Sequence, residues 1–224
     1  MTDEDLAQYL KPGEFVNSDD PDIIAFAKDA AGESGSEMER VLRLFHVIRD
    51  DILYDPYMPM GLKSSYTAKD CLAQRRGWCV PKAALLAACA RAIGVPARPG
   101  YADVINHMAT EKLLESMGGC EIFYWHSYCD LYLEGKWVKA TPAFNKSMCD
   151  KFGLLPLEFD GKNDSLFHEF DRAGNKHMEY VRDRGPYFDV PFDEITATFR
   201  REYNGMSGQM DAGIDGDFQI EAGS

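Results

Sequence analysis

The sequence predicts one domain that combines helices with antiparallel strands. Three observations carry that prediction. Residues 80–93 form an almost unbroken apolar run with only Lys82 and Arg91 as charged interruptions, the mark of a helix buried on all sides. Residues 121–133, EIFYWHSYCDLYL, alternate as a strand does. Glu134-Gly135 then reads as a two-residue turn, and residues 136–141, KWVKAT, as the returning strand.

The chain of 224 residues is long enough for a proper core, and its 45% hydrophobic and 12% aromatic content is that of a globular protein. A net charge of −13 argues against nucleic acid or an anionic membrane as partner. No run reaches membrane-spanning length. The acidic start, MTDEDLAQYLKPGEF, has no apolar stretch of the secretory kind. Six cysteines, without a C-x-x-C or a framework spacing, predict free thiols in a reducing cytoplasm and no zinc knuckle.

Taken in order, residues 1–20 read as a polar lead-in with at most one short helix. Residues 21–31 read as a helix, with Ile23, Ile24, Ala27 and Ala30/Ala31 at helical spacing. Ser36 followed by Glu39 is a capping-box signature, and the helix it opens carries Val41, Leu44, Phe45, Ile48 and Ile52. His46, inside that helix, reads as structural. Tyr54-Asp55-Pro56 ends it, a Pro/Met/Gly-rich loop follows, and residues 66–74 form a short helix before Gly77-Trp78-Cys79. Pro81 sits in the first turn of the buried helix, where a missing N–H costs nothing. Gly94 closes it, and Val95-Pro96 forbids continuation. Residues 97–104 read as a strand and residues 106–117 as an insertion with a short helix. Residues 142–156 are irregular. Asp160-Gly161 and Arg172-Ala173-Gly174-Asn175 are turn signals, the second suggesting a hairpin of LFHEFD with KHMEYV. Residues 191–203 form a last helix, and residues 204–224 read as a loose acidic tail. The expected organisation is one domain over 1–203, with a core at about 40–145, an extension over 146–203, and the tail.

Cys79 stands at the N-terminal mouth of the buried helix, where orphan N–H groups and the dipole favour an anion, so its thiol pKa is expected to fall. A cysteine nucleophile needs a base, and the base an orienting group. His126, on the alternating strand, is the candidate base. Alternation places Ile122, Tyr124, His126, Tyr128, Asp130 and Tyr132 on one face. The two-residue turn pairs Leu133 with Lys136, Asp130 with Lys139 and Tyr128 with Thr141. Asp130, four residues from His126, lies roughly 13 Å away and is expected to pair with Lys139 instead. Thr141 is diagonal to His126, about 7–8 Å between backbones, and is the residue placed to orient it.

These residues resemble the transglutaminase-like superfamily of papain-fold cysteine enzymes. The matching motifs are Gly77-Trp78-Cys79 with its Ala-rich helix and Gly94-Val95-Pro96-Ala97-Arg98, then Gly100-Tyr101; His126-x-x-x-Asp130-x-Tyr132-Leu133-x-Gly135-x-Trp137-Val138; and Thr141-Pro142. Upstream, Ile52-x-Tyr54-Asp55 also fits. The resemblance implies an α+β fold with a papain/transglutaminase-like core, in which the helix carrying Cys79 packs on an antiparallel sheet carrying His126. It implies Cys79 as nucleophile and His126 as base. The family pattern has aspartate where this chain has Thr141, a hydroxyl that can fix a tautomer but cannot stabilise imidazolium by charge. Asn145 is a candidate substitute. Trp78, Gln74 and Tyr128 are candidates beside the Cys79 N–H for the oxyanion, and His107 for a group projecting into the cleft. His168 and His177 flank a turn, but two histidines without a third ligand make no metal site. No cofactor is expected.

The leading reading is a cysteine-dependent acyl-transfer enzyme that acts on a peptide or a small amide or ester and hydrolyses an amide or isopeptide-like bond through a thioester. Hydrolysis is favoured over cross-linking on the absence of a calcium-site motif or propeptide. The competing reading, kept open by Thr141, is a catalytically weak or inactive papain-fold module that binds peptide or protein partners.

Overall fold

The structure, a computed structural model, describes residues 3–107, 109–167 and 169–221. Helix α1 (Asp3–Ala7) leads to α2 (Pro21–Ala31), whose N-cap Asp20 accepts from the Asp22 N–H at 3.0 Å, with Pro21 at the first helical position. Helix α3 (Glu37–Asp51) opens on the full capping box expected at Ser36 and Glu39. A two-residue strand β1 (Leu53–Tyr54) follows, then α4 (Ala68–Gln74), and β2 (Arg76–Gly77), which pairs in parallel with β1. This small pair anchors the turn that delivers Cys79 to the start of α5 (Cys79–Ala92).

Helix α5 is the hub. Helices α2, α3 and α4 pack around it on one side, and β3 (Ala97–Asn106) and β4 (Ile122–Leu133) on the other. Every residue from Cys79 to Arg91 is buried. Even the two cations are enclosed. Lys82 Nζ donates to the carbonyls of Arg49 (3.0 Å) and Ile52 at the end of α3, where the helix dipole favours a cation. Burial nevertheless pushes the Lys82 pKa down to about 7. Arg91 donates to the carbonyls of Ala97, Lys11 and Phe188. Gly94, at φ 89°, closes the helix as expected.

The main sheet has the order β5–β4–β3–β6, all antiparallel, with β5 at Lys136–Ala140 and β6 at Met178–Pro186. Helix α6 (Glu111–Ser116) lies on the connection between β3 and β4. Glu134 and Gly135 both take positive φ, 48° and 86°, the two left-handed residues of a type I′ turn. The register is therefore the expected one, Leu133 opposite Lys136 and Asp130 opposite Lys139. Asp130 does not pair with Lys139, however. Arg98, opposite it on β3, takes the carboxylate through Nη2 at 3.0 Å and Nε at 3.1 Å. A fork of two donors holds a buried carboxylate better than one flexible ammonium. Lys139 lies instead over the Tyr128 ring, 4.9 Å from its centroid.

The uniform alternation expected for β4 also fails. Ala102 pairs with His126 but Val104 with Phe123, so Tyr124 and Trp125 together oppose Asp103. This is a β-bulge, and it puts Ile122 and Tyr124 out of phase with His126. Trp125 adopts φ 61°, a conformation that costs a bulky residue about 1–3 kcal/mol.

After β5 come α7 (Lys146–Phe152), β6, α8 (Phe192–Glu202) and α9 (Phe218–Glu221). The turn at 171–175 forms, and among the described residues one bridge, Phe170 with Lys176, and the His177 N–H to Glu169 carbonyl bond follow it; the next residues join the edge of β3. The stretch read as a loose tail is docked instead, as far as residue 221. Met206, Met210 and Phe218 are buried, and Phe218 meets the rings of Tyr54, Tyr57 and Phe152. Glu221 pairs with Lys112 at 2.8 Å. The apolar anchors outweigh the acidic composition on which a loose tail was expected.

Candidate active site

Cys79 is the first residue of α5, with Trp78 as its N-cap. Proline at the third helical position leaves no extra donor unsatisfied, because the first intrahelical bond is Lys82 N–H to the Trp78 carbonyl at 3.2 Å. Backbone N–H groups of Ser127, Val80 and Cys79 itself near the sulfur pull its pKa down. Burial outweighs them and pushes the thiol up to about 11. The expected depression at the helix mouth is thus overturned: desolvation of a thiolate costs more than three backbone donors return.

Ser127 is the neighbour of His126 on β4, so the strand bearing the imidazole lies directly against the helix mouth. Cys79 and His126 line the same cavity. Burial, with the nearby His177 as a second cause, pushes His126 down to about 4. At neutral pH the two groups are therefore a thiol and an uncharged imidazole. Burial thus favours the uncharged form of both groups over a thiolate–imidazolium pair.

The bulge aims this part of β4. The Trp125 N–H donates to Asp103 Oδ1 at 3.1 Å, and its Nε1–H to Thr198 Oγ1 at 3.0 Å. Arg184 donates from Nε to the same Asp103 oxygen at 2.6 Å, and its guanidinium carbon lies 4.2 Å from the Trp125 ring centroid. The strained residue is pinned from three elements, β3, β6 and α8, immediately before His126.

On the other side of His126 is a second small cavity, lined by Thr141, Phe144 and His177 among others. Thr141 is thus brought beside His126, as its diagonal position predicts. Neither Thr141 Oγ1 nor His126 Nε2 has a hydrogen-bond partner among the described residues, and both are buried. His177, just ahead of β6, stacks on Phe144 with centroids 6.0 Å apart. Sequence reasoning weighed His177 only as a metal ligand; the signal for its place beside His126 lies in the pairing of β6 with β3, which no local pattern encodes.

Other candidates are placed elsewhere. The Asn145 amide is occupied, accepting from the Tyr54 N–H at 2.9 Å and donating to Ser147 Oγ at 2.7 Å, so it does not orient His126. Gln74 ends α4 on the exposed surface. Tyr128 lies across Gly100, where a Cβ would fall 2.2 Å from its ring, and lines neither cavity. His107 is exposed and bonded to Glu179 at 2.7 Å, because the residues around it follow β6 rather than the cleft. His46 is half-exposed beside Glu158. His168 lies outside the described residues. Trp78 does line the Cys79 cavity, and its Nε1–H is buried with no partner among the described residues. No group of three or more His, Cys, Asp or Glu among the described residues could hold a metal ion.

The sequence profile of the transglutaminase-like superfamily matches residues 24–142, more than half of the chain, from within α2 to Thr141-Pro142. The chain belongs to the transglutaminase-like superfamily. No curated protein matches it. Among solved structures it is similar to a candidate cysteine protease from Cytophaga hutchinsonii, at 18% identity and TM-score 0.49, over 82% of this chain and 55% of that one. It is also similar to a candidate protease from Parabacteroides distasonis ATCC 8503, at 22% identity and TM-score 0.40, over 61% of this chain and 25% of that one. The chain thus spans about half the length of the first of these and a quarter of the second. No helix among the described residues is long and apolar enough to cross a membrane.

Proposed function

We propose that this transglutaminase-like domain is a cysteine-dependent acyl-transfer enzyme that hydrolyses an amide or ester through a thioester on Cys79. The observation that carries the reading is the shared cavity of Cys79 and His126, with the Ser127 N–H near the sulfur. Because the resting pair is uncharged, the proton moves during attack. The Cys79 sulfur bonds to the acyl carbon as its proton passes to His126. The tetrahedral species then collapses, the bond to the leaving amine or alcohol breaks, and His126 returns the proton to it. Water attacks the thioester with His126 again as base, and the Cys79 thiol is regenerated. Trp78 Nε1–H and the Cys79 N–H are the donors assigned to the oxyanion. Thr141 stands where the family has the orienting aspartate; its hydroxyl adds no charge beside His126 and makes no hydrogen bond to the resting ring.

The test is turnover of p-nitrophenyl esters and acyl anilides by the wild type, Cys79→Ala and His126→Gln. Loss of about three orders of magnitude or more in the first variant and about 10²–10⁴-fold in the second is expected. Undiminished turnover by Cys79→Ala overturns the reading. Binding of peptide with no turnover by any form is the outcome that favours the inactive module, which Thr141 keeps in view.

A further inference from the structure

The cavity that His126 shares with Thr141 and His177 is separate from the one that holds Cys79. Among the described residues that line it, these three alone carry polar side chains; the rest are alanine, phenylalanine, leucine and methionine. The three are 8, 2 and 3% exposed, in that order. His126 Nε2 and Thr141 Oγ1 have no hydrogen-bond partner among the described residues. Leaving either buried atom unbonded is costly, so both call for a partner inside this space. The cavity has a volume of about 10 Å³, close to what one water molecule requires. The carboxylate and the amide that could have served are committed elsewhere, Asp130 to Arg98 and Asn145 to Tyr54 and Ser147.

His177 is fixed where it stands. Its N–H donates to the Glu169 carbonyl at 2.8 Å, and its own carbonyl accepts from the His107 N–H at 2.9 Å. Its ring stacks on Phe144, with centroids 6.0 Å apart. The ring is near enough to oppose a proton on His126. It also comes from beyond residue 142, where the match to the family's profile ends. The segment ahead of β6 therefore brings to this histidine a polar group that the matched region does not contain.

The reaction needs such a group. A neutral imidazole carries its proton on one nitrogen and is basic at the other. The nitrogen that takes the Cys79 proton must be bare, so the opposite one must hold the ring's own proton, and that N–H needs an acceptor. Resting on the acyl-transfer reading, we propose that His177 is the positioning residue of this site: through one water shared with Thr141 it holds the His126 ring with its proton on Nε2, leaving Nδ1 bare for the proton of Cys79. The water accepts from His126 Nε2–H and donates to Thr141 Oγ1 and to the His177 ring, three bonds in all, the usual number for a buried water.

The experiment uses the full chain with nitrogen-15-labelled histidine, as wild type, His177→Phe and His177→Gln. Phenylalanine keeps the stack on Phe144 and removes the polar atoms; glutamine restores an acceptor. Long-range proton–nitrogen NMR spectra at neutral pH read the His126 tautomer in the resting protein, with His126→Gln identifying its signals. Turnover of p-nitrophenyl acetate gives kcat and KM. The wild type is expected to hold the Nε2–H form alone. His177→Phe is expected to mix the two tautomers and to lower kcat about tenfold or more with KM little changed, and His177→Gln to recover most of both. The loss should stay well short of the roughly 10⁴-fold that an orienting aspartate can be worth, because a neutral ring adds no charge. Retention of the Nε2–H form and of kcat in His177→Phe overturns this inference and leaves acyl transfer standing. An equal loss of kcat in both variants with the tautomer unmoved assigns His177 to packing and overturns it too. A wild type in the Nδ1–H form does the same. Absence of any acyl group on wild-type Cys79 by mass spectrometry overturns the acyl-transfer reading, and the role assigned to His177 with it.

Discussion

Replacing Thr141 with aspartate restores a carboxylate beside His126, and the structure sets two opposing effects. An opposite charge within about 4–6 Å raises an imidazole pKa by about 1–3 units. His126, held at about 4, would then titrate between about 5 and 7. That corresponds to about 1.4–4 kcal/mol of added stability for the imidazolium. Against it stands the cavity itself, which apart from His126, Thr141 and His177 is lined by apolar side chains such as Ala143, Phe144, Leu155 and Leu157. Removing an ion from water into such a site costs several kcal/mol, and at pH 7 the imidazole is still largely neutral and cannot repay it. Thr141→Asp is therefore expected to lower the melting temperature at pH 7 while raising the His126 pKa. The assay is an NMR titration of the five histidine Cε1–H resonances, with His126 identified by His126→Gln, beside a thermal melt. A wild-type His126 that titrates near 6.5, or a resonance unmoved in Thr141→Asp, refutes the reasoning.

Other outcomes follow from the same geometry. Asp103→Ala leaves the largely covered Arg184 without its partner and removes the acceptor of the Trp125 N–H; a loss of about 3 kcal/mol in urea unfolding is expected, with turnover falling as the bulge relaxes. His126, depressed by burial, binds fewer protons folded than unfolded between about 4 and 6.5. Stability from this group is full above 6.5 and is lost as pH falls toward 4, so the urea midpoint of the wild type should drop more steeply over that window than that of His126→Gln. Trp78→Phe keeps the packing against Tyr66 and removes one N–H; kcat is expected to fall about 10²-fold with KM little changed, and an unchanged kcat assigns Trp78 to packing alone.

What the sequence disclosed and what it hid divide by range of interaction. The buried helix was legible because thirteen successive residues from Cys79 to Arg91 leave no polar face, and Gly94 marks its end. The β4–β5 register was legible because Glu134-Gly135 admits a two-residue turn, and that register alone placed Thr141 beside His126. The Asp130 partner was misread because Arg98 reaches it from β3, a strand whose pairing no local pattern specifies. The bulge at Trp125 is made by Asp103, Arg184 and Thr198, contributed by three elements far apart in the chain, so period-two alternation could not reveal it. His177 came to the site for the same reason, through the long-range pairing of β6 with β3. The depressed thiol pKa expected from the helix mouth was a local argument that ignored how deeply the sheet covers the sulfur.

The most direct test is to trap the covalent intermediate. Rapid mixing of the protein with p-nitrophenyl hexanoate, acid quenching and peptide mass spectrometry should find one acyl group, on Cys79 and on none of the other five cysteines, with its formation slowed at least a hundredfold in His126→Gln. Acyl groups spread over several thiols, or an unlabelled Cys79 while ester is being consumed, would contradict the proposal that this sulfur and this imidazole work together.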